Sequence, residues 1–202
     1  MSNSINRFFL EKLGDTQASD FIGDIGEMFF DPITGVLRVS DGVTPGGIIL
    51  GALGSTGYVG SFFDTTTQTN LVSVNKMTYD TSVIADGVQI QNSSKIKILH
   101  TGNYNIQFSA QIDKTDSGTD AIDIWLMKNG NNIANTNTRM NVDGNNAKLV
   151  AAWNWVVEAV ANDYFEIAWY SADSDIRIYA EGVQTNPTRP GIPSIILTVS
   201  QV

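Results

Sequence analysis

Tyr104-Asn105-Ile106-Gln107-Phe108-Ser109-Ala110-Gln111-Ile112 alternates apolar and polar residues without a slip. Successive side chains on a strand point to opposite faces. Tyr104, Ile106, Phe108, Ala110 and Ile112 therefore share one face, and Asn105, Gln107, Ser109 and Gln111 the other. The same period runs through most of 61–202. Residues 122–128 lead into Asn129-Gly130 and then Asn132, a hairpin signal, because both turn residues accept the positive φ of a type I′ turn. Residues 149–157 and 164–170 are aromatic-rich strands separated by Ala161-Asn162-Asp163. Residues 176–179 and 194–199 complete the set, with weaker strands at 71–79, 83–90 and 95–99. About eight to ten short strands at this spacing predict an all-β jelly-roll or sandwich head.

Residues 149–157 are apolar on both faces: Val150, Ala152 and Val156 oppose Leu149, Ala151, Trp153, Trp155 and Val157. A strand with one wet face does not read this way. Either a long loop of the same chain or a second subunit covers the extra face. Closed symmetry makes the second a homo-oligomer, with Tyr104, Trp153, Trp155 and Trp169 as candidate interface residues.

Two smaller segments precede the head. In 1–50, Asn3 or Ser4 can cap a short helix whose Ile5, Phe8, Phe9 and Leu13 share a face and which Gly14 stops. About nine residues do not hold a helix alone in water, so it must dock. Residues 28–30 and 36–39 flank Asp31-Pro32-Ile33-Thr34-Gly35, a hairpin whose turn is begun by Asp and Pro and closed by a glycine of positive φ. This segment is a candidate anchoring arm built on Ile5, Phe8, Phe9, Leu13, Phe29 and Phe30. In 51–60 glycine recurs at every third position, Gly51, Gly54, Gly57 and Gly60. Only glycine fits the axis of three wound extended chains, so the period predicts a collagen-like neck between trimeric parts; a flexible linker is the alternative.

Composition narrows the function. The 202 residues carry a formal net charge of −9, which repels phosphate backbones and argues against nucleic-acid binding. No cysteine is present, so disulfides, thiolate metal sites and cysteine nucleophiles are excluded. His100 is the single histidine, and neither a catalytic triad nor a multi-histidine metal site is expected from it. No stretch is long and apolar enough to span a membrane, and the N-terminus lacks the pattern of a signal peptide, which predicts assembly in a cytoplasm. Phosphate-binding glycine motifs are absent. Asp113, Asp116, Asp120 and Asp123, with Asp173 and Asp175, read as solvated loops; a pair of them is the only route to an enzyme, by glycoside hydrolysis. No catalytic residue, cofactor or metal is expected.

Gly102-Asn103-Tyr104-Asn105-Ile106, and Asn162-Asp163-Tyr164-Phe165-Glu166-Ile167 where a turn enters a late strand, follow the glycine triplets in an order that resembles the globular heads of the complement and tumour-necrosis-factor superfamily. That resemblance implies a trimeric, ten-stranded jelly roll; Asn162 stands where the family has glycine. Residues 102–111, Asp123-Ile-Trp-Leu-Met-Lys-Asn-Gly130 and Asn186-Pro-Thr-Arg-Pro190 also resemble virion structural proteins of tailed bacteriophages, especially those of marine cyanobacteria. Residues 26–31, 37–42 and 44–47 are similar to short modules of phage fibre and baseplate proteins. The resemblance implies a non-enzymatic virion component, a homotrimeric fibre or capsid decoration docked by its arm to capsid or tail proteins. A glycan- or host-receptor-binding adhesin, using the Asn- and Thr-rich stretch 129–146, is the alternative, and a tail depolymerase a third.

Overall fold

The computed structural model describes residues 11–12, 18–31, 33–50 and 57–202. They form two compact units, Met1–Thr56 and Gly57–Val202. No helix occurs among the described residues.

The first unit is a small sheet. Strands Met28–Asp31, Val36–Val39 and Ile48–Ile49 pair antiparallel in that order, and Glu11–Lys12 adds parallel to Met28–Asp31. The expected hairpin is present. Asp31 accepts the backbone N–H of Ile33 and Thr34 on its carboxylate and that of Gly35 on its carbonyl, and Gly35 has φ +69°. Arg38 closes an ion pair with Asp31 at 3.1 Å. The expected helix is not continuous, because Glu11 and Lys12 are extended and paired with Phe29 and Phe30. A helix of that length lacks stability of its own, whereas a strand added to a sheet edge satisfies its backbone groups. Ile5, Phe8, Phe9, Leu13 and Pro32 lie outside the described residues. Phe29 is buried and meets Phe21 edge to face at 4.8 Å, so it is the core of this unit rather than a free anchor; Phe30 is half-buried.

The second unit is a jelly roll. Its principal strands are β1 (Val59–Asp64), β2 (Thr81–Asp86), β3 (Val88–Gln91), β4 (Lys95–Ile98), β5 (Gly102–Lys114), β6 (Thr119–Lys128), β7 (Thr138–Asp143), β8 (Lys148–Ala159), β9 (Tyr164–Tyr170), β10 (Ile176–Ile178) and β11 (Ile195–Gln201). One sheet runs β8-β5-β11-β1-β2, with β10 continuing beside the end of β5. The other runs β7-β6-β9-β4-β3. The chain passes repeatedly from one sheet to the other, as a jelly roll requires.

The alternation of β5 is realised as read. Tyr104, Ile106, Phe108, Ala110 and Ile112 are buried between the sheets. They meet Ile122, Ile124 and Leu126 of β6, Phe165, Ile167 and Trp169 of β9, and Leu197 and Val199 of β11 in one continuous core. Burying each large apolar side chain contributes about 1.5–3 kcal/mol. Asn129 and Gly130 both have positive φ, +51° and +82°, and pair Lys128 with Asn131 as a two-residue hairpin turn demands.

Three details differ from expectation. The stretch 83–90, read as one strand, is broken at Gly87, whose φ of +69° turns the chain out of β2 and into β3 of the other sheet. A Cβ there would strike the Tyr58 ring. Only Asn75–Lys76 of 71–79 is strand. The head begins before residue 61: Gly60 lies in β1 opposite Val199, and Gly57 has φ +72° against the backbone of Gln201. Extended chains of a triple helix need φ near −75°, which Gly57 does not have, and Gly60 is taken up in the head's own sheet, so neither glycine forms a neck. Gly51 and Gly54 lie outside the described residues.

Candidate self-association surface

Two features of the β8-β5-β11-β1 sheet stand out among the described residues. The first is its outer face. Three ladder rows cross it: Val156-Asn105-Ser200-Val59, Asn154-Gln107-Thr198-Ser61 and Ala152-Ser109-Ile196-Phe63. None of these side chains is charged, in a chain of net charge −9. Val156 is 65% exposed, Val150 56% and Ile196 44%. The second feature is the edge. β8 pairs only with β5, and no other described strand takes its far side. A long unpaired edge is normally blunted by charge, proline or a bulge. Leu149-Val-Ala-Ala-Trp-Asn-Trp-Val-Val157 contains no charge and no proline.

The register sorts the aromatic candidates. Trp153 and Trp155 lie opposite Phe108 and Ile106, on the core-facing side of β8, and remain half-exposed because β8 is the edge strand. With Phe108 they form an aromatic group: Trp155 stacks on it at 5.4 Å and Trp153 meets it edge-on at 4.7 Å. Tyr104 and Trp169 are fully buried between the sheets and offer no surface to another chain. They belong to the core, which corrects their assignment to an interface. The outer face was legible as polar in β5 and apolar in β8; which face of β8 turned inward was not, since both are apolar.

Of the six aspartates expected in solvated loops, Asp113, Asp120 and Asp123 lie in strands, and Asp116, Asp173 and Asp175 in loops. Asp113 is buried and holds Lys148 at 2.7 Å and Arg177 at 2.5 Å. Asp123 is buried and binds Arg139 and Asn137. Asp116 and Asp120 both pair with Lys114, itself fully buried. Asp116, Asp173 and Asp175 come within 4.8 Å of one another, but Asp175 is already engaged by Thr115 and Asp173 by the Asp175 N–H. His100 stacks on Tyr58 at 3.8 Å, and its carbonyl accepts the Tyr104 hydroxyl. These groups are bound into the head's own structure.

No family model and no curated protein matches the chain. Among solved structures, it is similar to the globular domain of a zebrafish complement 1qA protein, at 13% identity and TM-score 0.44 over 72% of this chain and 97% of that one. It is also similar to murine APRIL at pH 5.0, at 12% identity and TM-score 0.46 over 71% and 98%. The pH 8.5 structure of murine APRIL gives 11% identity and TM-score 0.46 over 71% and 98%.

Proposed function

We propose that the chain is a non-enzymatic structural protein that assembles as a homotrimer through its heads, the small N-terminal unit serving to dock the trimer on a larger particle. The observation that carries this reading is the β8 edge, nine uncharged residues long and unpaired on its outer side. A rotated copy brings that edge, with Trp153 and Trp155, against the uncharged outer face of its neighbour. Such a contact joins two different patches, so it closes into a ring when the rotation is right. Three heads joined this way cover the β8 edge of each against uncontrolled pairing.

The particle we propose is the virion of a tailed phage, with capsid or tail proteins as the other partners. The motifs at 26–47, 102–111, 123–130 and 186–190 support that reading. Charge placed on the proposed contact tests the assembly. Val156→Lys combined with Val150→Glu should convert the full-length protein to monomers while leaving its thermal unfolding cooperative. An unchanged mass for that variant would overturn the reading. Imaging the intact particle tests the location.

A further inference from the structure

The chain after the Asn129-Gly130 turn runs back along one edge of β6. Asn131–Asn132 pairs with Lys128 and Met127, and β7 pairs with 119–124. Between them, residues 133–137 leave the ladder. The gap is filled by the chain itself: Thr136 Oγ accepts the Leu126 N–H, and the Ile133 N–H donates to the Leu126 carbonyl. Asn135 has φ +63° at the crest. The excursion therefore forms a fixed wall beside Trp125, on the outer face of the second sheet.

This wall borders an open cleft of about 440 Å³ lined by Trp125, Tyr170, Val74, Ile133 and the side chains of Asn132, Asn135 and Asn137, with the buried Asp123 at its floor. The Trp125 Nε1–H donates to Asn132 Oδ1 at 2.8 Å, which fixes the indole. A second cavity of about 380 Å³ adjoins it and shares Asp123 and Tyr170; Arg139, Ser171 and Thr119 are among its walls. The Asp123 carboxylate is already matched by Arg139 Nη2 at 2.8 Å and the Asn137 amide at 3.1 Å. Arg139 and then Asn137 hold its carboxyl below the ordinary carboxylate range, against the opposing effect of burial. The floor thus carries no unbalanced charge.

We propose that this cleft binds a neutral hexopyranose, with its C–H face against Trp125 and Tyr170, its hydroxyls on the Asn135 and Asn137 amides, and the next sugar unit of a glycan in the adjoining cavity. The chemistry selects the ligand class. A pyranose has one apolar face and a rim of groups that both donate and accept, and each Asn amide does both. An apolar chain would leave the Asn135 amide and the Asn137 side-chain carbonyl unpaired, at a desolvation cost. An anionic sugar would meet Asp120 and Asp173 at the second cavity. The volume lies within the range of small-ligand sites. The site is on the sheet opposite the proposed trimer contact, so the two can fail separately.

Saturation-transfer NMR of the full-length protein with methyl glucoside, methyl galactoside, methyl mannoside, maltose and lactose tests it. Saturation should reach the C–H protons of one pyranose face for at least one probe, and a disaccharide should bind more tightly than its monosaccharide. Trp125→Ala should weaken that binding roughly tenfold or more, as loss of a stacked aromatic face implies. Asn135→Gly keeps the positive φ, removes only the amide, and should weaken binding with unfolding unchanged. Val156→Lys should leave it intact. No transfer to any of the five probes, or equal transfer in the Trp125 and Asn135 variants, overturns the site.

Discussion

Phe108 is the side chain that joins the core to the aromatics of the edge strand. It is buried by the alternation of β5, and it is also the ring on which Trp155 stacks and Trp153 leans. Its truncation removes core volume and the support of the edge aromatics together. Phe108→Ala should therefore cost about 3–5 kcal/mol of unfolding free energy, measured by denaturant titration; a loss below 1 kcal/mol would contradict its place in the core. Asn162 shows a different kind of legibility. It replaces the glycine of the resembling motif, and it has φ +77°, a conformation Asn tolerates better than most residues. Asp163 beside it accepts from Asn129 at 2.7 Å, from Lys128 at 2.8 Å and from the Val160 N–H at 2.8 Å. Burial pushes its carboxyl up, but Lys128 and these amides outweigh burial and hold it at about 2. The folded value lies below the ordinary value of about 4, so this contribution is present above pH 4 and is lost as pH falls from about 4 to about 2. Asp163→Asn should lower the melting temperature at pH 7 and make it less sensitive to acid over that window. A parallel acid dependence in wild type and variant would refute the pairing.

Among the strands, legibility followed the clarity of the two-residue period. β5 was readable because polar and apolar residues strictly alternate, and the β6 hairpin because Asn129-Gly130 has few other uses. β8 was readable as a strand but not as a surface: Leu149, Trp153 and Trp155 on one side and Val150 and Val156 on the other carry the same apolar signal. Only its register with β5 says which set turns inward. Gly87 hid a change of sheet because hydrophobicity continues across it. The glycine triplets misled in the same way: Gly60 is needed where Phe62 crowds the strand and Gly57 where φ is positive, neither being the demand of a triple helix. The cleft beside Trp125 was visible only as an Asn-rich stretch, since the wall exists because residues 133–137 leave the ladder. The edge carries its own consequence. Val156→Lys alone, on the exposed face of β8, should alter the unfolding free energy of the monomeric head by less than about 0.5 kcal/mol while weakening self-association at least tenfold in sedimentation equilibrium. Loss of folding with no change in association would place Val156 in the core instead.

The single histidine is stacked on Tyr58, and most of the carboxylates that could have served chemistry are tied into ion pairs or hydrogen bonds that hold the head together. Among the described residues, what stands open is three uncharged ladder rows on a sheet face and an edge strand with no strand on its far side. A chain of net charge −9 repels its copies at long range, so association through an uncharged patch is where short-range burial can prevail. Sedimentation velocity of the full-length protein at micromolar concentration and physiological salt decides whether it does. A single species of three times the 21.9 kDa chain mass is the predicted result; a monomer at that concentration would contradict the trimer and the role built upon it.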